Sequence, residues 1–180
     1  MRFLNLLACL CAAAASVARA ADPQAAGQAI PGFGNTRSVA NAANLPDRSI
    51  RYRVIFSVAK AAQTPAKVNP SLDKVARFLN LLGSEGIRPA RNDVVVILHG
   101  TAAAAVLGDE AYRARYGVDN PNLPLIRALR RAGATIHVCG QALVSQKIDR
   151  SAVSGDVITD LSALTTIATL QLKGWVLMPE

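Results

Sequence analysis

Apolar residues between positions 51 and 178 fall into short runs that are typical of β-strands. Residues 51–58 alternate between polar and apolar before they become apolar, and residues 94–98 form a continuous run of Val, Ile and Leu. Alternation predicts a half-buried strand, whereas a continuous β-branched run predicts a strand of a parallel sheet that is covered on both faces. Further strands are predicted at 135–139, 156–158 and 175–178.

Between these strands, apolar residues recur at the three- and four-residue spacing of amphipathic helices. Asn69 and Pro70 predict the start of the first helix, because an Asn side chain caps free N–H groups and Pro suits the first turn. Further helical segments are predicted at 109–116, 123–132, 141–147 and 161–172. The predicted inward face of the last helix consists of Leu161, Leu164, Ile167 and Ala168.

A strand followed by a helix therefore recurs about five times along the chain. This order predicts an α/β fold, a three-layer α/β/α sandwich with a mainly parallel sheet of about five strands. We expect one domain over residues 50–180, since no linker or internal repeat interrupts it. Residues 21–49 are rich in Ala, Gly, Asn and Pro and lack a period, which predicts an irregular leader lying over the domain.

The first 20 residues have the pattern of a secretory signal peptide. Arg2 provides a positive start, residues 3–17 are almost entirely apolar, and Ala18 and Ala20 are small residues at a cleavage site. The apolar run is shorter than the roughly 20 residues of a membrane span, although a retained anchor is the alternative. Cleavage after Ala20 predicts a periplasmic or secreted protein that does not contact the membrane once the signal is removed.

Cleavage also leaves the mature chain with one thiol. Of the three cysteines, Cys9 and Cys11 leave with the signal and Cys139 remains, so an intramolecular disulfide is excluded. The formal net charge falls from +8 to +6, because the signal contains two Lys+Arg residues and no Asp or Glu. The densest basic group has only two tyrosines nearby, which indicates a solvated helix face and no nucleic-acid partner.

Polar residues are predicted where strands end, at the edge of an α/β sheet where sites form. His99 follows the second strand, Cys139 ends the third, and Asp156 and Thr159 flank the fourth. Because one crossover joins the second and third strands, we expect His99 and Cys139 on the same rim. A nearby imidazole and a helix start favour the thiolate, which suits sulfur transfer or an intermolecular disulfide exchange. The alternative is a buried cysteine that acts as a small hydrophobic residue.

Other chemistries find less support in the sequence. No Gly-rich phosphate loop and no Gly-x-Ser-x-Gly motif is present, so no cofactor is predicted. His99, His137 and Cys139 match no familiar zinc spacing, so no metal is predicted.

Several short motifs are spaced along the chain. They lie at 75–81 (VARFLNL), 95–102 (VVILHGTA), 120–122 (NPN), 138–142 (VCGQA), 161–166 (LSALTT) and 174–175 (GW). Together they resemble the exported DsrE/DsrF-like proteins, of DsrEFH type, and the resemblance covers residues 30–179.

This resemblance implies an α/β domain, a homo-oligomer built on trimers, and sulfur relay through a strand-end cysteine, a role that carries over to Cys139. His99, Asn120, Asn122 and Gln141 match recurring motifs of the family without a defined role. We therefore take Cys139 and His99 as candidate catalytic residues and the other three as candidate binding residues.

The expected function is that of a periplasmic sulfur carrier or sulfurtransferase-like protein that accepts a persulfide on Cys139. Its partners would be a small sulfur donor or a partner protein. The alternative is a non-catalytic module that binds a small molecule or a protein, with a structural cysteine. The expected export of this chain distinguishes it from the best-understood relay members of the family, which are cytoplasmic and serve sulfur oxidation or tRNA thiolation.

Overall fold

A five-stranded parallel sheet lies at the centre of the computed structural model, which describes residues 28–179. Its strands are β1 (Val54–Val58), β2 (Val94–Leu98), β3 (Thr135–Cys139), β4 (Ile158–Asp160) and β5 (Val176–Met178). The α-helices are α1 (Pro70–Ser84), α2 (Asp109–Tyr116), α3 (Leu123–Arg131), α4 (Gly140–Ser145) and α5 (Ala163–Leu172). Short 3₁₀ helices span Gly100–Val106 and Arg150–Ala152.

The strand order is β4-β3-β2-β1-β5, and every neighbouring pair is parallel. Right-handed crossovers from β1 through β4 all step in one direction, which places α1, α3 and α4 on one face of the sheet. The return from β4 to β5 places α5 on the other face. The predicted α/β fold is confirmed, and the sheet is parallel throughout its five strands.

The first helix begins where the sequence predicts. The Asn69 side chain accepts hydrogen bonds from the N–H groups of Ser71 and Leu72, and Pro70 occupies the first turn. The apolar stripe of α1 is buried, and Phe78 packs edge-on against Phe56 of β1 with ring centroids 5.4 Å apart. This contact identifies the face of β1 that α1 covers.

The fourth strand begins two residues later than predicted. A turn, closed by the hydrogen bond from Val157 N–H to the Ser154 carbonyl, holds residues 154–157 out of the sheet. Asp156 therefore precedes the strand, and Asp160 ends it. This shift changes which carboxylate reaches the carboxyl edge of the sheet.

The predicted inward face of the last helix is wrong in three of its four residues. Leu161, Leu164 and Ala168 are exposed, and only Ile167 packs against the core. The helix begins at Ala163 because the Ser162 side chain caps it by accepting a hydrogen bond from Leu164 N–H. Leu161 thus lies before the helix, and Ala163 is the buried residue of its first turn.

The leader is described from residue 28 onward, and the predicted signal peptide lies outside the described residues. Residues 28–53 contain no helix or strand. Ile30 is fully buried, and the Asn80 side chain of α1 binds this segment through hydrogen bonds with Ile30 and Phe33. Among the described residues, no helix is both long enough and apolar enough to cross a membrane.

Candidate functional site

The carboxyl ends of β2, β3 and β4 bring a histidine, the cysteine and an aspartate side by side. Cys139 pairs with Asp160 in the β3–β4 register. The β2–β3 register ends at Leu98 and Val138, and His99 and Cys139 directly follow these two residues at the same edge of the sheet. Residues in register on parallel strands point to the same face, which places all three side chains on the face covered by α5.

Two further residues lie one level back on the same face, since side chains two residues apart share a face of a strand. Ser57 and His137 are in register with each other through Ile97. We call this set of five residues the polar row: Ser57, His99, His137, Cys139 and Asp160.

Cys139 itself is 6% exposed and is a free thiol. It immediately precedes α4, whose six residues make it a short helix. A Cβ atom on the next residue, Gly140, would lie 2.7 Å from the Asp160 carbonyl oxygen. Only glycine fits there, and its small size allows the ends of β3 and β4 to approach closely beside the thiol.

On one side of Cys139, a hydrogen-bonded group joins β3, β4 and α5. His137 Nδ1 is 3.0 Å from each carboxylate oxygen of Asp160, and Thr166 Oγ1 donates to Asp160 Oδ2 at 2.8 Å. Because a carboxylate only accepts hydrogen bonds, His137 Nδ1 must be the donor in this pair and carry a proton. Both side chains are largely buried, so the pair is fixed in orientation.

On the other side of Cys139, an imidazole is held by a hydroxyl. His99 Nε2 and Ser57 Oγ are 2.8 Å apart. This hydrogen bond fixes the His99 ring against Ser57 of β1 through Nε2, and Nδ1 is the ring nitrogen that Ser57 does not engage. Cys139 therefore has a held imidazole towards β2 and a held carboxylate towards β4, an arrangement that can take up and return a proton next to a thiol.

The other predicted binding residues are placed differently. Gln141 is exposed two residues beyond Cys139, and its side chain reaches the Leu161 carbonyl at 3.5 Å. Asn120 and Asn122 are buried, at 3% and 2% exposure. Their side chains bind each other, the carbonyls of Ala105 and Leu107, and Asn69 N–H, with no hydrogen bond to the polar row.

Asn122 also lines a cavity of about 160 Å³ next to Thr101, with Tyr112 in its wall. The Tyr112 hydroxyl donates to the Pro65 carbonyl at 2.8 Å, and burial raises the pKa of this tyrosine. The side chains of Asn122 and Tyr112 in this cavity thus already hold the surrounding loops.

Asp156, expected near the site, lies instead at the start of the β4 segment, where its carboxylate pairs with Arg130 at 2.8 Å. Sequence reasoning missed Ser57, Asp160 and Thr166. The position of Asp160 depends on the bounds of β4, and that of Thr166 depends on where α5 begins. A strand predicted at 158–160 would have placed Asp160 at the carboxyl edge of the sheet.

No group of three or more His, Cys, Asp or Glu residues able to hold a metal occurs within residues 28–179.

Comparisons with known proteins identify the type of domain. The model of the DsrE/DsrF-like family matches residues 51–179. Among solved structures, the chain resembles MTH1491 from Methanobacterium thermoautotrophicum, described as a protein of unknown function, with a TM-score of 0.52 and 16% identity. That match covers 71% of this chain and 97% of the other, and it supports the fold. No curated protein matches the chain.

Proposed function

The chain belongs to the DsrE/DsrF-like family, which is linked to sulfur relay, and we propose that it carries sulfur as a persulfide on Cys139. The observation that carries this proposal is the position of Cys139. Within residues 28–179 it is the one free cysteine, and it ends a strand at the carboxyl edge of the sheet. A single thiol suits a carrier that accepts one sulfur, whereas disulfide exchange within the domain would need a second thiol.

The transfer step conserves atoms and electrons. The Cys139 thiolate attacks the outer sulfur of a donor persulfide, a new S–S bond forms, and the S–S bond of the donor breaks. The electron pair of the broken bond leaves on the donor thiolate, so no outside oxidant or reductant is consumed. A proton must leave the thiol before the attack, and the departing thiolate takes one up.

His99 is the residue that we propose for this proton transfer, because it follows β2 at the edge where β3 ends in Cys139 and its ring is held by Ser57. Gln141 is the candidate binding residue placed to contact a donor, since it is exposed close to the thiol. Asn120 and Asn122 would contribute by holding the surrounding loops in shape.

Mass spectrometry of purified protein after incubation with a sulfane-sulfur donor tests the proposal. We expect the peptide containing Cys139 to gain one sulfur atom and the Cys139→Ser variant to gain none at this position.

His99→Gln should slow the transfer by about 100-fold, the lower end for loss of a positioned acid–base group. His137→Gln is the matched control, because Asp160 already holds that imidazole. Failure of every donor to load Cys139 would exclude the carrier function.

The burial of Cys139 favours a second candidate, a binding module on the same fold in which the cysteine is structural. Alkylation of the native protein separates the two. A thiol labelled only after denaturation supports the structural role, whereas labelling in the native state at a rate near that of a free thiol supports the carrier.

We further propose that the chain is exported and works in the periplasm, on the signal-peptide pattern of residues 1–20. Amino-terminal sequencing of protein recovered from the periplasmic fraction should begin at Ala21. Recovery from the cytoplasm with Met1 retained would contradict export.

A second copy of the chain is the partner that we propose for the surface around α5, in line with the homo-oligomer that the family resemblance implies. Several large apolar side chains are exposed there, on and beside α5 and on the α5 face of the two edge strands, and grouped exposed apolar residues mark interaction surfaces. They are Ile158, Leu161, Leu164, Leu172 and Leu177. Analytical sedimentation should show an oligomer that the Leu164→Glu variant dissociates. Val39 is also exposed but lies in the leader, away from α5, so the control variant Val39→Glu should leave the oligomer intact.

A further inference from the structure

A cleft of about 360 Å³ opens at the amino-terminal edge of the sheet, where β3 begins. Four arginines line it: Arg91 before β2, and Arg127, Arg130 and Arg131 on α3. We call these four residues and the space between them the arginine cleft. Cys139 is at the other end of β3, about 13 Å away at 3.3 Å per residue, so the cleft is separate from the polar row.

Acidic residues balance little of this charge. Asp156 is the carboxylate lining the cleft, and it pairs with Arg130 at 2.8 Å. Arg91, Arg127 and Arg131 form no ion pair or side-chain hydrogen bond with any residue of the described chain. Three arginines thus line one cleft without a side-chain partner within residues 28–179.

The stability of α3 explains only part of this cluster. Arg130 and Arg131 lie in the last turn of α3, where positive charge interacts favourably with the helix dipole. Arg127 lies one turn earlier, and like charges four residues apart, such as Arg127 and Arg131, repel each other. Arg91 comes from a different segment and adds to the repulsion. A bound anion would relieve it.

We propose that the arginine cleft binds a phosphate or sulfate group, a multiply charged tetrahedral oxyanion. Guanidinium groups bind such oxygens with paired N–H donors, which makes arginine the preferred residue for this recognition. The volume of the cleft falls within the range of roughly 300–1,000 Å³ for small-molecule sites, so the oxyanion has room to be part of a larger molecule. This site adds a binding activity to sulfur relay and does not depend on Cys139.

Calorimetric titration of the purified protein with sodium pyrophosphate, at fixed ionic strength set with sodium chloride, tests the proposal. We expect saturable binding of one pyrophosphate per chain. The double variant R127Q/R131Q should bind at least about tenfold more weakly, because it loses two charge-assisted contacts. The matched control R113Q/R115Q removes the same charge from α2, outside the cleft. It should bind within about twofold of the wild type.

Vesicle sedimentation identifies the source of the oxyanion. Binding to phosphatidylglycerol vesicles but not to phosphatidylcholine, lost in R127Q/R131Q and kept in R113Q/R115Q, would identify a lipid headgroup as the natural ligand. Binding of pyrophosphate without binding of vesicles would identify a free molecule. Equal weakening in both double variants, or no binding of pyrophosphate or vesicles by the wild type, would overturn the proposal.

Discussion

The two faces of the sheet are both buried at their centre but carry different kinds of side chain. On the face of α1 and α3, the strand residues are apolar and buried: Val54, Phe56, Val58, Val94, Val96, Leu98, Ile136 and Val138. On the opposite face, which α5 covers, Ile55, Val95 and Ile97 are buried as well, but the carboxyl ends of the strands carry the polar row. Ile158 and Leu177 are exposed on this face at the two edges of the sheet. One face is thus apolar along all its central strands, whereas the other combines an apolar centre with the polar groups of the candidate site.

The polar row shows how polar groups are accommodated in a largely buried part of the sheet. Its residues form pairs, Ser57 with His99 and His137 with Asp160, so that their burial leaves few polar atoms unsatisfied. This pairing fixes side chains around Cys139 by hydrogen bonds, whereas the other face is held by apolar contacts. We expect substitutions on the two faces to differ accordingly in their effect on stability.

Leu129→Ala on α3 should have the largest effect. Leu129 is fully buried between α3 and the sheet, so truncation removes buried apolar area and leaves a cavity. We expect the free energy of unfolding to fall by about 3 kcal/mol. Denaturant unfolding with wild type and variant side by side measures it. A loss under about 1 kcal/mol would mean that this face is less tightly packed than its burial indicates.

Gly140→Ala tests the contact between β3 and β4 beside the thiol. The new Cβ would lie 2.7 Å from the Asp160 carbonyl oxygen, so the two strand ends must separate. We expect a loss of about 2 kcal/mol together with faster alkylation of Cys139.

Gly155→Ala provides the control for this substitution. Its Cβ would meet nothing within 4 Å, so we expect a change within about 0.5 kcal/mol of zero. Equal effects at the two glycines would show that the strand ends are not closely packed.

Much of the face covered by α1 and α3 could be predicted from the sequence, and much of the polar row could not. The continuous apolar run of β2 and the Asn69 cap of α1 are local signals, and both predictions are confirmed. The bounds of β4 depend on a turn at 154–157 and on pairing with β3, which are tertiary features. The position of Asp160 beside Cys139 follows from that register and is therefore hidden in the sequence.

The misjudged face of α5 has a related cause. Apolar residues at helical spacing predict a buried stripe, whether the covering partner is the same chain or another. Leu161 and Leu164 satisfy the pattern and yet are exposed in the single chain. The fold class survives such errors because it depends on the order of the elements and not on their exact bounds.

Asp160→Asn should have an intermediate effect. The substitution removes one of the two carboxylate oxygens that accept hydrogen bonds from His137 and Thr166 in a largely buried setting. We expect the free energy of unfolding to fall by about 1.5 kcal/mol. Asp156→Asn is the matched control, because its partner Arg130 is exposed and such ion pairs contribute about 0–1 kcal/mol. A larger loss at Asp156 than at Asp160 would contradict a structural role for the polar row.

Leu164→Ala should have the smallest effect on the single chain, and it completes the comparison with Leu129→Ala. The same atoms are removed, but Leu164 is 81% exposed. At concentrations where the protein is monomeric, we expect the free energy of unfolding to change by less than about 0.5 kcal/mol. Raising the protein concentration should stabilise the wild type by mass action, because the surface around α5 would be buried between copies. The variant should gain less stability, because it has lost part of that surface. A loss comparable to that of Leu129→Ala in the monomer would show instead that the chain itself covers this face.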